Sequence, residues 1–535
     1  MNPHHRLDHP ALLTRRSVLA SAGLAVPAWA QAAAPVRGGT VVIGPGAEMT
    51  TPLTSAVTTA GLAQLVSGKI FDGLLTYDAQ FRPQPRLATS WHVSNDGLAV
   101  TFKLRAGVTW HDGQPFTSAD VAFSLLEVWK QVHSRGRATF ANVVAVDTPD
   151  PLTAVLRLTQ PAPYLLTALS SPVESQVIPR HIYGKGDLLT NPALNAPIGS
   201  GPFRFVKWER GSHIVLERNP TYWDAPRPYL DRLVLRFIPD GAANVAALET
   251  GAVHLATQLP LSDIARLSTF PSLQVRSEAT SYTTGVGVFG FNLDRPVFRD
   301  VRVRRAFAHA IDRDFIVKNI WHGQAVAVDS PIPPAFPDFA VTDLPRYAFD
   351  LGRAEALLQE AGLARNAAGI RLSVTTDPAP TGPLLPVALH LRSQLAKVGV
   401  DLRIRTQDFG EFVNRVYTRR DFDTAFYSGN AGPDPAIGVQ RFYWSKNFKP
   451  GVAFSNAEHY ANPEVDALLE RGQVETDPAA RRRLYTEFQR RVQADAVRLP
   501  FVSAAHVVVA NRRVGGLDEI DPLYGNFAGV HLKAA

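Results

Sequence analysis

The stretch 86–129, RLATSWHVSNDGLAVTFKLRAGVTWHDGQPFTSADVAFSLLEVW, constrains the fold more than any other part of this chain. Strand-like runs at 91–93 and 98–104 flank Ser94-Asn95-Asp96-Gly97, and an Asp-Gly pair supplies the positive φ that a tight hairpin needs. A second turn, His111-Asp112-Gly113, follows Val108-Thr109-Trp110. Thr117-Ser118-Ala119-Asp120 then reads as a helix start, a hydroxyl cap with a carboxylate three residues on. The helix it opens repeats Val121, Leu125, Val128, Trp129 and Val132 on one face.

Around this unit the pattern is α/β. Residues 36–44 read as a first strand and 58–71 as a helix, and the chain stays strand-rich with long loops to about 195. Residues 198–205 turn into a new strand, and 233–237 alternates apolar and polar. Residues 282–292 form a long apolar strand that reads as a crossing into another domain. Its Gly285, Gly287 and Gly290 match G-x-G-x-x-G, but they sit inside a strand instead of opening a helix, which argues against a dinucleotide site. Asp350 caps a helix over 353–361 that Gly362 stops. From 370 the elements alternate: strand 370–375, helix 384–398, strand 400–406, helix 409–418, strand 423–427. Such a βαβαβ run calls for a largely parallel sheet. Asn462-Pro463 and Asp477-Pro478 each place a cap before a proline, starting two helices that reach about 495, and 499–502 is a short returning strand.

At 535 residues the chain is too long for one hydrophobic core, so two or three domains are expected. With 45% apolar and 19% charged residues it belongs among globular proteins. The one dense basic run, Arg481-Arg482-Arg483, shares a predicted helix with Glu487, Arg490 and Arg491, so it reads as a solvated face and not as a nucleic-acid contact. The absence of cysteine excludes disulfides, thiolate metal sites, a cysteine nucleophile and a lipoprotein anchor. Residues 1–30 read as a twin-arginine signal: Arg15-Arg16 precede a short apolar run, 18–26, that ends in Ala28-Trp29-Ala30. That run is too short to span a bilayer. No H-E-x-x-H, G-x-S-x-G or P-loop motif occurs. His111 and Asp112 are a turn pair, and His309 and His322 lack ligand spacing, so neither a cofactor nor a metal is expected.

Three motifs in order carry a family resemblance. They are the hairpin ending in Trp110-His111-Asp112-Gly113 before a capped helix; Ile198-Gly199-Ser200-Gly201-Pro202-Phe203 with Asn219-Pro220 and Tyr222-Trp223; and Phe298-Arg299-Asp300 leading through Val301-Arg302-Val303-Arg304-Arg305-Ala306 to Ala310-Ile311-Asp312-Arg313. Together they resemble the extracytoplasmic solute-binding proteins of family 5, the peptide/nickel class that serves ABC importers; Ser200 stands where the family has Thr. The resemblance implies an α/β, two-lobed periplasmic binding protein (type II, cluster C) with an extra domain inserted in the first lobe. Lobe I is expected over 36–75, 198–280 and 499–535, the inserted domain over 76–197, and lobe III over 281–498. A peptide or peptide-like solute would be enclosed between the lobes of a periplasmic monomer, and the closed form read by an ABC permease with its ATPase subunits. A metal-chelate or haem-type carrier is the alternative within the family, and a secreted hydrolase the alternative outside it.

In an open α/β sheet, ligands sit beyond the carboxyl ends of the strands. The strand 423–427 feeds a small, polar stretch, 428–435, whose Ser428, Gly429, Asn430 and Asp434 are candidate ligand contacts. Glu48 and Thr50 from the first lobe, Tyr282, Phe291 and Asn292 from the crossing strand, and Arg441 as partner of a ligand carboxylate complete the expected site. One departure stands out. Peptide-binding members carry an Asp shortly before the Asp-Pro or Glu-Pro pair, where it neutralises the ligand's α-amino group. Matching Asp434-Pro435 to that pair puts Ala431 or Asn430 there, and neither supplies a charge. Because a buried, uncompensated ammonium is costly, a free-amine ligand requires another acid, such as Glu48 or Asp434 itself.

Overall fold

The computed structural model describes residues 35–49, 52–172, 174–277, 282, 284–344, 346–504, 506–518, 521 and 523–534. The expected signal, 1–30, and Thr50 lie outside the described residues. Residues 36–535 form one unit built on three main sheets.

The first sheet has seven strands in the order Leu273–Arg276, Val508–Asn511, Leu255–Ala256, Thr40–Gly44, Arg232–Arg236, His213–Arg218 and Phe203–Glu209. The second has six, Val326–Ala327, Arg498–Ala504, Gly285–Phe291, Thr424–Asn430, Leu372–Pro378 and Val400–Ile404. The chain passes between them twice, after Arg276 and after Ala504, and the passing strands pair antiparallel in both sheets. Leu499 to Ala504, expected with the first lobe, therefore belong to the second sheet. Within the second sheet the βαβαβ run is parallel as its pattern requires. The crossing strand pairs antiparallel with both neighbours, so the sheet as a whole is mixed.

The opening unit forms the third sheet. Ala88–Val93 pairs antiparallel with Ala99–Leu104, and the order continues through Thr153–Leu158 to Val143–Asp150. Gly97 takes φ +70, and the Asp96 carboxylate accepts from the Leu98 N–H at 3.0 Å, as an Asp-Gly turn should. The helix Ser118–Phe123 starts with the Asp120 carboxylate accepting from the Thr117 N–H at 2.9 Å. It continues as a π-helical turn, Ser124–Trp129, and Val121, Leu125, Val128 and Trp129 are all fully buried. The His111-Asp112 pair is structural: His111 Nε2 meets the Gly201 carbonyl at 3.0 Å, while Asp112 pairs with His181 at 2.6 Å. Asp300, Asp350, Asn462 and Asp477 each accept a backbone N–H at the start of the helices Val301–Ala310, Leu351–Glu360, Pro463–Val474 and Pro478–Asp495.

Candidate ligand-binding site

The lobes meet along a packed seam. The ring of Tyr77 lies 5.7 Å from that of Tyr282, and Phe81 inserts edge-on 5.2 Å from Phe336 of the second lobe. In return Ile437 is buried in the apolar cluster of the first lobe and the inserted domain. Tyr164 of the inserted domain reaches Gln473, beside Asp434 and Arg481.

Several expected contacts are structural instead. Phe291 is fully buried among Phe289, Phe298 and Phe307. Asn292 donates to the carbonyl of Phe422 at 2.9 Å and accepts from Arg420 at 2.9 Å, fastening the strand end. Glu48 accepts from the Trp208 indole at 3.0 Å and the Gly211 N–H at 2.9 Å, so it closes a turn of the first lobe. Asp434 caps Ala436 at 2.9 Å and receives both arms of Arg481, at 2.6 and 2.8 Å, with both side chains buried. The Arg481–Arg483 run is thus not wholly a solvated face: Arg481 points inward, and only Arg482 and Arg483 are exposed.

Ser428, Gly429 and Asn430 lie in the strand Thr424–Asn430, which extends three residues past its expected end. Gly429 is there for packing: a Cβ would lie 2.7 Å from the Phe442 ring. Ser428 is exposed, and the Asn430 side chain accepts the Gly432 N–H at 2.8 Å, shaping the turn. Arg441 is half-buried, with its guanidinium 4.4 Å from the Phe442 ring centre and directed at the carbonyls of Gly438 (3.2 Å) and Asn430 (3.4 Å). Among the described residues no carboxylate lies within ion-pair distance of it. Burial, then the like charge of Arg135, pushes its pKa down to about 9, which leaves it charged at neutral pH.

Opposite Arg441 lies a cluster that the motifs did not single out. Glu174 is fully buried in the connection after the helix Leu165–Leu169, where Gln176 bridges to Gly73 and accepts from Ser67. Its Oε2 accepts from Ser171 Oγ at 3.0 Å and faces Arg135 at 3.4 Å, while its Oε1 and the Nε of Arg135 have no hydrogen-bond partner among the described residues. Glu174 is close enough to Tyr282 to help burial raise that phenol's pKa well above its usual value, and close enough to Arg441 to favour its charge. One signal was available in the sequence: Glu174 is the only acid between Asp150 and Asp187. A separate groove of about 900 Å³ runs past Leu62, Leu65, Gln258, Trp321, His322 and Tyr524 and contains none of the expected contacts. No cluster of three or more metal-ligating side chains occurs among the described residues.

Residues 82–450 match the bacterial extracellular solute-binding proteins, family 5. A Brucella ovis protein named for ABC-transporter peptide binding is 32% identical over 494 residues, covering 88% of each chain. The glutathione-binding protein GsiB of Pectobacterium atrosepticum is 28% identical, covering 84% of this chain and 86% of its own. The Helicobacter pylori periplasmic protein DppA, solved with the peptide STSA, superposes with a TM-score of 0.80 at 25% identity, over 93% of this chain and 99% of its own. Two α/β lobes joined by two crossings, with a smaller inserted sheet, fit the fold of these proteins, and the chain belongs to the family 5 bacterial extracellular solute-binding proteins, the substrate-binding components of ABC importers.

Proposed function

We propose that this protein is the periplasmic, twin-arginine-exported member of such an importer and captures a peptide or peptide-like solute at the seam between its lobes, without chemistry. The lobe boundaries belong to this reading: lobe I over 36–75, 198–280 and the chain after the second crossing, the inserted domain over 76–197, and lobe III between the crossings. The observation that carries the reading is the charged, half-buried Arg441, which has no carboxylate within ion-pair distance among the described residues and faces Arg135 and Glu174 from the other side of the seam. A buried cation without a counter-ion is unfavourable unless a ligand supplies one, and a ligand carboxylate does so. The names of the relatives, which specify peptide and glutathione, support the same chemistry. Closure then follows from differential affinity: a solute held by both lobes favours the state in which they meet, and the permease and ATPase subunits respond to that state.

Native mass spectrometry of the protein purified from its host, followed by a thermal-shift panel of di- and tripeptides, tests this. A true ligand at a hundredfold excess over its Kd should stabilise the fold by about 2.7 kcal/mol. Failure of every peptide-like compound to shift the transition would overturn the ligand class. Turnover of any compound, abolished by a point substitution, would overturn the transport reading.

A further inference from the structure

We infer that Glu174 is the acid that receives the ligand's ammonium group, taking the place of the aspartate that this chain lacks before Asp434-Pro435. This rests on the peptide-type reading above and names the group that makes it possible.

Two of the other carboxylates near the seam are already saturated, and the third lies on the wrong side of it. Asp434 is held by both arms of Arg481 and by the Ala436 N–H, and Glu48 closes a turn on Trp208 and Gly211. Glu458 meets Arg498 and the Tyr427 hydroxyl through Oε1 alone and keeps a buried Oε2, but it is carried between the crossings, on the same side as Arg441, so a solute held by these two would not touch both lobes. Glu174 differs from Asp434 and Glu48 in saturation and from Glu458 in side: it is fully buried on the first-lobe side of the seam, meets Arg135 at 3.4 Å through one oxygen only, and finds no donor for Oε1 among the described residues. A charge-assisted N–H···O contact closes at about 2.8 Å when nothing else competes for it. A buried carboxylate oxygen with no donor is costly, and an incoming ammonium removes that cost. Its position fits as well, because Glu174 is carried by the first-lobe side while Tyr282 and Arg441 approach from the other. A solute with its ammonium on Glu174 and its carboxylate on Arg441 touches both lobes, which is the condition for closure.

The test uses two libraries of L-tripeptides, one with free amino termini and one N-acetylated, offered to the mature protein and read by native mass spectrometry and calorimetry. The wild type should retain members of the free-amine library and discriminate against their acetylated forms by about a hundredfold. Glu174→Gln keeps the shape and loses the charge, so it should weaken the retained free-amine peptides by about a hundredfold while leaving the melting temperature of the empty protein near that of the wild type. Glu174→Asp should recover part of the loss, and Glu48→Gln should leave peptide affinity unchanged. Equal retention of free and acetylated peptides by the wild type would overturn the assignment of Glu174 even if the variants failed to fold. Unchanged affinity in Glu174→Gln would do the same, with the peptide reading intact in both cases. If the wild type retains neither library, the ligand class itself falls and the assignment with it.

Discussion

Asp434–Arg481 and Glu174–Arg135 are both buried arginine–carboxylate pairs near the seam, and they are built differently. Asp434 and Arg481 make a bidentate contact at 2.6 and 2.8 Å, and the remaining capacity of the carboxylate goes to the Ala436 N–H. Glu174 and Arg135 touch at 3.4 Å, with an oxygen and a nitrogen left over. Burial is similar in the two, so burial alone does not distinguish a structural acid from a binding one. What separates them is saturation: every lone pair that the fold itself fills is unavailable to a solute.

The comparison is broken most directly by removing one acid from each pair. Asp434→Ala leaves the Arg481 guanidinium buried without a counter-ion, and urea unfolding should show a loss of about 4 kcal/mol. Glu174→Gln still offers Arg135 and Ser171 an acceptor, so the empty protein should lose about 1 kcal/mol or less in the same experiment. Equal losses would mean that the two pairs do the same job.

The loose side can be stressed by acid. His133, two residues from Arg135, is fully buried, and burial followed by the Arg135 charge holds its pKa down to about 3 against an ordinary value of 6.5. A base whose folded pKa is depressed is neutral when folded, so its contribution is complete above pH 6.5 and is lost as the pH falls towards 3. At pH 4 the loss should reach about 3 kcal/mol relative to pH 7. His133→Asn keeps an acceptor for the Gly136 N–H and should remove that share of the slope, as measured by unfolding at both pH values. The tight side is stressed by volume instead. A Cβ on Gly438 would sit 1.7 Å from the Ala431 carbonyl oxygen, a backbone atom that moves only with the turn leading to Asp434. Gly438→Ala should cost about 2 kcal/mol and lower the melting temperature.

The sequence made one side of the comparison more legible than the other. Elements with a local signal came through: the Asp96-Gly97 turn, the caps at Asp300, Asp350, Asn462 and Asp477, and the parallel run from 372 to 430. What depended on distant pairing did not. Asp434 looked available because its partner lies 47 residues on, within an arginine run that local pattern assigns to solvent. Asn292 looked polar and free in a strand, yet its partners are about 130 residues away. Glu174 sits between small polar residues and prolines, where no periodicity says which way a side chain points. Its neighbours Arg135, Tyr282 and Arg441 come from three separate segments that only the assembled fold brings together.

Glu48 offers the finest version of the comparison, because it is a half-buried acid whose two contacts are both with donors of the first lobe. Glu48→Gln retains an oxygen acceptor for the Trp208 indole or the Gly211 N–H, and it loses only the charge assistance at a site that water reaches. The expected cost is about 0.5 kcal/mol, at the low end for a partly exposed hydrogen bond. Peptide affinity should be unchanged, since the Glu48 oxygens are committed to the turn at Gly211 and no group of the Arg441 cluster is among its partners. Titration calorimetry on Glu48→Gln and Glu174→Gln side by side separates the two acids. A fall in affinity for the first variant comparable to the second would place the ammonium on the first-lobe turn and show that saturation by neutral donors does not keep an acid from binding.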